Sequence, residues 1–163
     1  MPARYDLHSH STASDGQLAP AELVRRAAAE GVDYLALTDH DTLAGLPEAR
    51  AAADEQGIAL VPGIEFSVLW GQRELHLLGL WVDPDEPGLQ ALVARQLEAR
   101  EQRARRMGER LDKAAGLTDS YARACELAGS AAPGRPFFAR LLLDAVKVRN
   151  FQHAFDRFLK SGQ

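Results

Sequence analysis

The stretch that most constrains this chain is Tyr5-Asp6-Leu7-His8-Ser9-His10, followed at once by Ser11-Thr12-Ala13-Ser14-Asp15-Gly16. Strand side chains repeat every second residue, so a strand here turns His8 and His10 to one side. Two imidazoles on one strand, with Asp15 in the loop behind them, make half of a metal site. Three later segments end in similar groups: Thr38-Asp39-His40-Asp41, Pro62-Gly63-Ile64-Glu65 and Glu74-Leu75-His76. The expectation is that these segments bring their polar ends to one place and that several metal ions bind there.

The order of elements supports convergence. Residues 4–10 read as a strand and 11–19 as a polar loop. Pro20 can open a helix that Gly31 stops. Residues 33–38 are a short, nearly continuous apolar run, which fits a strand covered on both faces. A second helix is expected from Leu43 to Gln56, closed by Gly57. Residues 58–68 read as a strand kinked at Pro62-Gly63, and 73–82 as a fourth strand. Strands alternating with helices predict an α/β fold with a mainly parallel sheet. In such folds function gathers at the carboxyl ends of the strands, where His10, His40 and Glu65 fall. After the turn-rich Asp83-Pro84-Asp85-Glu86-Pro87-Gly88 the pattern turns helical, with stretches at 88–115, 118–129, 136–147 and 150–161. Residues 1–86 are therefore read as a metal-binding part and 87–163 as a helical segment.

Composition excludes some functions. A net charge of -4 gives no whole-molecule attraction to nucleic acid, which argues against a DNA-coating role but leaves room for a local basic groove. The single cysteine, Cys125, allows no internal disulfide and suits a reducing compartment. No apolar run approaches the roughly 20 residues needed to span a bilayer, and no signal-like segment is seen. A cytoplasmic chain with no membrane partner is expected.

Six candidate ligands stand out: His8, His10, Asp15, His40, Glu65 and His76. Mixed imidazole and carboxylate donors suit zinc, manganese or iron better than calcium. Such ions would supply a metal-bound hydroxide near neutral pH and clamp the oxygens of a phosphate ester. No serine or cysteine nucleophile is then needed. Each residue has a bland reading too. His-x-His alone is more often structural than metal-binding, and Asp41 or Thr42 could cap the second helix. Glu65 could lie on the surface, and His76, between leucines, could be a core histidine. The combined pattern outweighs these, because four of the five histidines fall in strand or strand-end segments near a carboxylate. His153 is read as a surface residue.

The long helix carries many arginines, most of which fit a solvated face with pairs such as Glu101 and Arg105. Arg100 is different. Leu89, Val93, Leu97, Ala104, Met107 and Leu111 form an apolar stripe at helical spacing, with Arg100 in its middle and Arg103 at its edge. An arginine facing the protein needs an anion, either a carboxylate or a substrate phosphate. Arg135, in Pro133-Gly134-Arg135-Pro136, is a further candidate.

Together these residues resemble the PHP (polymerase and histidinol phosphatase) family. The resemblance rests on His8-Ser9-His10, Asp15-Gly16, Leu37-Thr38-Asp39-His40-Asp41, Pro62-Gly63-Ile64-Glu65 and His76-Leu77-Leu78-Gly79, in that order and spacing. The arginine-rich helix and Gly134-Arg135-Pro136 look like the helical insertion of one branch. That branch holds metal-dependent phosphoesterases acting on 3',5'-nucleoside bisphosphates and on RNA 5' ends. The resemblance implies the N-terminal part of a distorted (β/α)7 barrel with up to three divalent ions, manganese, zinc or iron. His8, His10 and Glu65 would hold one ion, Glu65 and His76 a second, Asp15 and His40 a third. It also implies hydrolysis of nucleotide phosphate esters, with a small nucleotide or an RNA 5' end as partner. The chain departs from the pattern in two places. Phe137 stands where relatives often have a histidine. The later histidine and Asp-x-His pair that complete the family's metal shells have no match before Lys160-Ser161-Gly162-Gln163. This implies a longer parent chain, a complementing chain for the C-terminal half, or a reduced site. The alternative to an enzyme is a catalytically incomplete metal-binding or interaction module.

Overall fold

The structure is a computed structural model and describes residues 2–71 and 73–159. It divides into two compact units, Met1–Gln96 and Leu97–Gln163. The first contains β1 (Tyr5–Ser9), α1 (Pro20–Ala29), β2 (Tyr34–Leu37), α2 (Leu46–Gln56), β3 (Ala59–Trp70), β4 (Arg73–Leu80) and the start of α3 (Pro87–Ala115). The sheet order is β1-β2-β3-β4. β1, β2 and β3 run parallel, and β4 is antiparallel to β3. The fold is thus a mixed α/β half-barrel sheet. Val24 of α1, Leu35 and Leu37 of β2, and Leu46, Ala49, Ala52 and Ala53 of α2 form one buried cluster. Alanines on the inner face of α2 let it lie close to its neighbours, since each brings only a methyl group to the contact.

Two local details differ from the sequence expectation. The second helix starts at Leu46 rather than Leu43, and its cap, Gly45, makes no side-chain bond. Asp41 and Thr42 do not cap it. Thr42 Oγ1 accepts the Ala44 N–H at 3.1 Å and shapes the turn instead. Asp41 takes a left-handed φ of 55° and its carboxylate accepts the Ser67 N–H at 2.9 Å. The second difference concerns Pro62-Gly63. β3 runs on through it; what changes is the partner. Ala59–Pro62 pair with β2, and Gly63–Trp70 pair with β4. Pro62 lacks an N–H, so the end of the parallel ladder is where a proline is tolerated. A Cβ on Gly63 would lie 2.7 Å from Thr38 Cγ2 and 3.1 Å from the Gly79 carbonyl oxygen, so both flanking strands require glycine there.

The second unit holds the rest of α3, α4 (Ser120–Ala128), α5 (Arg135–Asp144) and α6 (Phe151–Ala154), which passes into a π-helical turn (Phe155–Leu159). Its core gathers Ala104, Leu111, Ala124, Phe138, Leu142 and Leu159. The apolar stripe expected along α3 is buried only from Ala104 onward, and Leu97 remains 38% exposed. The helix expected at 150–161 breaks at Ala154, and positions 160–161 lie outside the described residues. His153 has a local role: its Nδ1 accepts the Arg149 N–H, and its own N–H bonds the capping side chain of Asn150. Among the described residues no helix is long and apolar enough to cross a membrane.

Gly108 supplies a test of this packing. A Cβ there would lie 2.7 Å from both N and Cβ of Tyr121, a backbone contact that cannot swing aside. Alanine improves helix propensity by about 1 kcal/mol, but overpacking costs about 1–3 kcal/mol. Gly108→Ala is expected to lower the unfolding free energy by about 1–2 kcal/mol in urea denaturation, although it substitutes a better helix former.

Candidate metal centre

The backbone brings the six candidates together in stages. β1 slips register by one residue between Asp6 and Ser9. His8 and His10 nevertheless reach the same Glu65 oxygen, Oε2, at 2.8 and 3.0 Å. Beyond the end of β2, His40 continues the parallel register as an isolated bridge to Glu65. The Asp41 N–H donates to the Glu65 carbonyl, and the Glu65 N–H donates to the Asp39 carbonyl. Paired residues in register point to the same side of a sheet, so His40 and Glu65 stand next to each other. On β4, His76 pairs with Ser67, two positions from Glu65 on the same face. Its Nδ1 lies 2.8 Å from Glu65 Oε1.

Glu65 is therefore the hub. His40 Nδ1 lies 3.8 Å from its Oε2 as well. Asp15 closes the other side, with Oδ1 3.6 Å from His10 Nδ1 and Oδ2 3.7 Å from His40 Nε2. The donor atoms form three overlapping groups: His8, His10 and Glu65; His10, Asp15 and His40; His40, Glu65 and His76. Within each group they lie within 4.8 Å of one another.

The donor set fits divalent cations. Imidazole nitrogens mixed with carboxylate oxygens suit zinc and first-row transition metals. His10 Nδ1 is buried with no hydrogen-bond partner among the described residues, an arrangement that costs free energy unless something ligates it. The spacings around Asp15 are too long for hydrogen bonds. They approach the ~3.4 Å that separates two ligand atoms each held about 2.1 Å from a tetrahedral ion.

The electrostatics agree. Burial pushes the Glu65 carboxyl up, but the His8 hydrogen bond and the charges of His40, His8 and His10 together hold it below its ordinary value of 4.5. A carboxyl lowered on folding contributes stability that is complete above its unfolded value and lost as pH falls through its folded value. Without metal, the wild-type chain should therefore lose unfolding free energy more steeply below about pH 4.5 than Glu65→Gln does, as acid titration of denaturation midpoints would show.

The arginine candidates lie in the helical unit. Arg100 and Arg135 are half-buried, and Arg103 is exposed. Arg105 pairs with Glu101 at 2.6 Å. In the first unit, sequence reasoning left residues beside the six candidates without a role or misread them: Asp39, Asp41, Ser11 and Ser14. No local pattern marked them, because their partners lie far away along the chain.

The chain belongs to the PHP domain family, whose model matches residues 6–115. Among its relatives, a 5'-3' exoribonuclease of Haemophilus influenzae is 47% identical over 163 residues, all of this chain and 59% of that protein. A 3',5'-nucleoside bisphosphate phosphatase of Chromobacterium violaceum is 44% identical over 99% of this chain and 56% of its own length. A solved structure of an amidohydrolase from Chromobacterium violaceum, with bound sulfate and no metal, superposes with a TM-score of 0.87 at 42% identity. The match covers 99% of this chain and 57% of that one. The chain thus spans less than three-fifths of the relatives it matches.

Proposed function

We propose that this chain carries the metal-binding part of a phosphoesterase that hydrolyses phosphate esters of nucleotides. The substrate class would be a 3',5'-nucleoside bisphosphate or the 5' end of an RNA. The observation that carries this reading is the sharing of Glu65 by two of three overlapping ligand groups. In it, His8, His10, Asp15, His40, Glu65 and His76 hold divalent ions, manganese, zinc or iron. Such ions, when bound, supply Lewis-acid charge to phosphoryl oxygens and acidify water. The chain's own work is to place them. Glu65 presents one oxygen to His8 and His10 and the other to His76, so it would serve two ligand groups at once. Asp15 presents its two oxygens to His10 and His40 in the same way. The buried Glu65 and the half-buried His10 orient these groups.

Arg100, Arg103 and Arg135 are proposed to hold a substrate phosphate, since a guanidinium offers forked donors to phosphate oxygens. The names of the relatives support the substrate class, as does the sulfate in the Chromobacterium structure, which has the shape and charge type of a phosphate. The test is phosphate release from a 3',5'-nucleoside bisphosphate, and nucleotide release from a 5'-phosphorylated oligoribonucleotide, by manganese-loaded chain. Release that needs manganese supports the reading. Metal uptake without hydrolysis of either substrate would overturn the enzymatic part and favour a metal-binding module.

A further inference from the structure

Asp15 sits on a loop with no regular secondary structure, its side chain 40% exposed. Its contacts with His10 and His40, at 3.6 and 3.7 Å, are ion-pair distances too long for hydrogen bonds, so they do not by themselves fix the loop. The residue placed to do so is Asp39, which is 2% exposed and lies between Thr38 and His40. Its Oδ1 accepts the Ser11 N–H at 2.8 Å and the Ser14 hydroxyl at 2.6 Å; its Oδ2 accepts the Ser11 hydroxyl at 2.7 Å. Its carbonyl also accepts the Glu65 N–H.

We propose that Asp39 is the positioning residue for Asp15: by gathering three hydrogen bonds from Ser11 and Ser14, it fixes the loop that delivers Asp15 to His10 and His40. The proposal rests on the metal reading of the site.

The chemistry of the network favours a carboxylate at this position. Ser11 Oγ already accepts the Ala13 N–H, so its own proton must go to an acceptor. All three groups facing Asp39 are donors. A carboxylate is acceptor-only and satisfies them all, whereas an asparagine would turn an NH2 group toward one of them. Charge-assisted bonds of this kind are short and strong, which offsets the cost of burying the carboxylate. The surroundings are shaped to the same end. A Cβ on Gly45 would lie 2.9 Å from Asp39 Oδ2 and 3.2 Å from Ser11 Oγ, so glycine leaves the space the network fills. A Cβ on Gly16 would overlap the His10 carbonyl, so the loop closes directly onto the ligand-bearing strand. The Gly16 and Ser14 N–H groups both return to the Ser11 carbonyl, which makes Ser11 the anchor of the whole turn.

The test compares manganese binding by metal-free wild type, Asp39→Asn, the milder Ser14→Ala, Asp15→Ala, and the double variant Asp15→Ala with Asp39→Asn, by calorimetry. Loss of an orienting partner typically weakens metal affinity about 10–100-fold. Asp39→Asn is expected to weaken one binding event by that factor and Ser14→Ala to weaken the same event less. In the Asp15→Ala background, Asp39→Asn should cost no further affinity, because the residue it positions is gone. A purely structural role would leave the two effects additive. In metal-free protein, the amides of Ser11, Ser14 and Gly16 should exchange at least about tenfold faster in Asp39→Asn, while β3 amides keep their protection. Wild-type affinity in Asp39→Asn, or full additivity with Asp15→Ala, overturns the proposal alone. A wild-type chain that takes up no manganese overturns the metal reading and the proposal with it.

Discussion

Glu65→Gln is expected to abolish metal loading. The substitution keeps the volume of the side chain and removes its charge. It disables two ligand groups at once, because the His8–His10 and His40–His76 groups share this one carboxylate. Removal of an orienting partner already costs about 10–100-fold in affinity, so loss of a shared ligand should exceed a hundredfold. Two measurements check this. Elemental analysis should find divalent metal in the wild-type chain and only background in the variant. Thermal unfolding should show the wild type stabilised by manganese, by about 2.7 kcal/mol at a hundred times the dissociation constant, and the variant not stabilised at all. A variant that loads metal like the wild type would show that Glu65 is not the hub.

The second large effect lies in the helical unit. Phe138 on α5 is fully buried among Leu111, Ala124, Leu142 and other apolar groups. Truncating a buried phenylalanine typically costs about 3–5 kcal/mol, the lost transfer energy plus the cavity left behind. Domains are stable by only about 5–15 kcal/mol, so Phe138→Ala should remove a large share of the unit's margin. Urea denaturation followed by circular dichroism and amide exchange over residues 97–159 would report it. The neighbour, Phe137, is only partly buried, and Phe137→Ala should cost clearly less. Equal costs at the two positions would mean that the core is not where the structure places it.

The six candidate residues were legible as a cluster because each falls within a strand or in the segment just after one, and period-two alternation fixes which side a strand residue faces. The approach of β1 and β2 residues to Glu65 follows from parallel pairing, which the alternation of strands and helices predicts, whereas His76 arrives across the antiparallel pair of β3 and β4. What could not be read was the support behind them. Asp39 finds its donors on Ser11 and Ser14, and Asp41 finds its donor on Ser67, all far away along the chain. No local pattern marks such partners, so Asp41 looked like a helix cap. The start of α2 was misjudged for the same reason, since a glycine cap without a side-chain bond leaves little trace. Along α3, helical spacing identified the apolar positions but not the depth of each. Burial depends on what packs against the helix, and the spacing does not contain that information.

One consequence of β3 reaches beyond the site. Because a single unbroken strand exchanges β2 for β4 at Pro62-Gly63, both ladders depend on it, as does the carboxylate at its middle. Partial opening of this unit cannot peel away one half of the sheet and leave the ion-binding groups intact. The amide protons along Val61 and Ile64–Val68 should be among the slowest in the chain to trade with solvent. Capacity to bind cations should then vanish together with that protection, in one step rather than in stages.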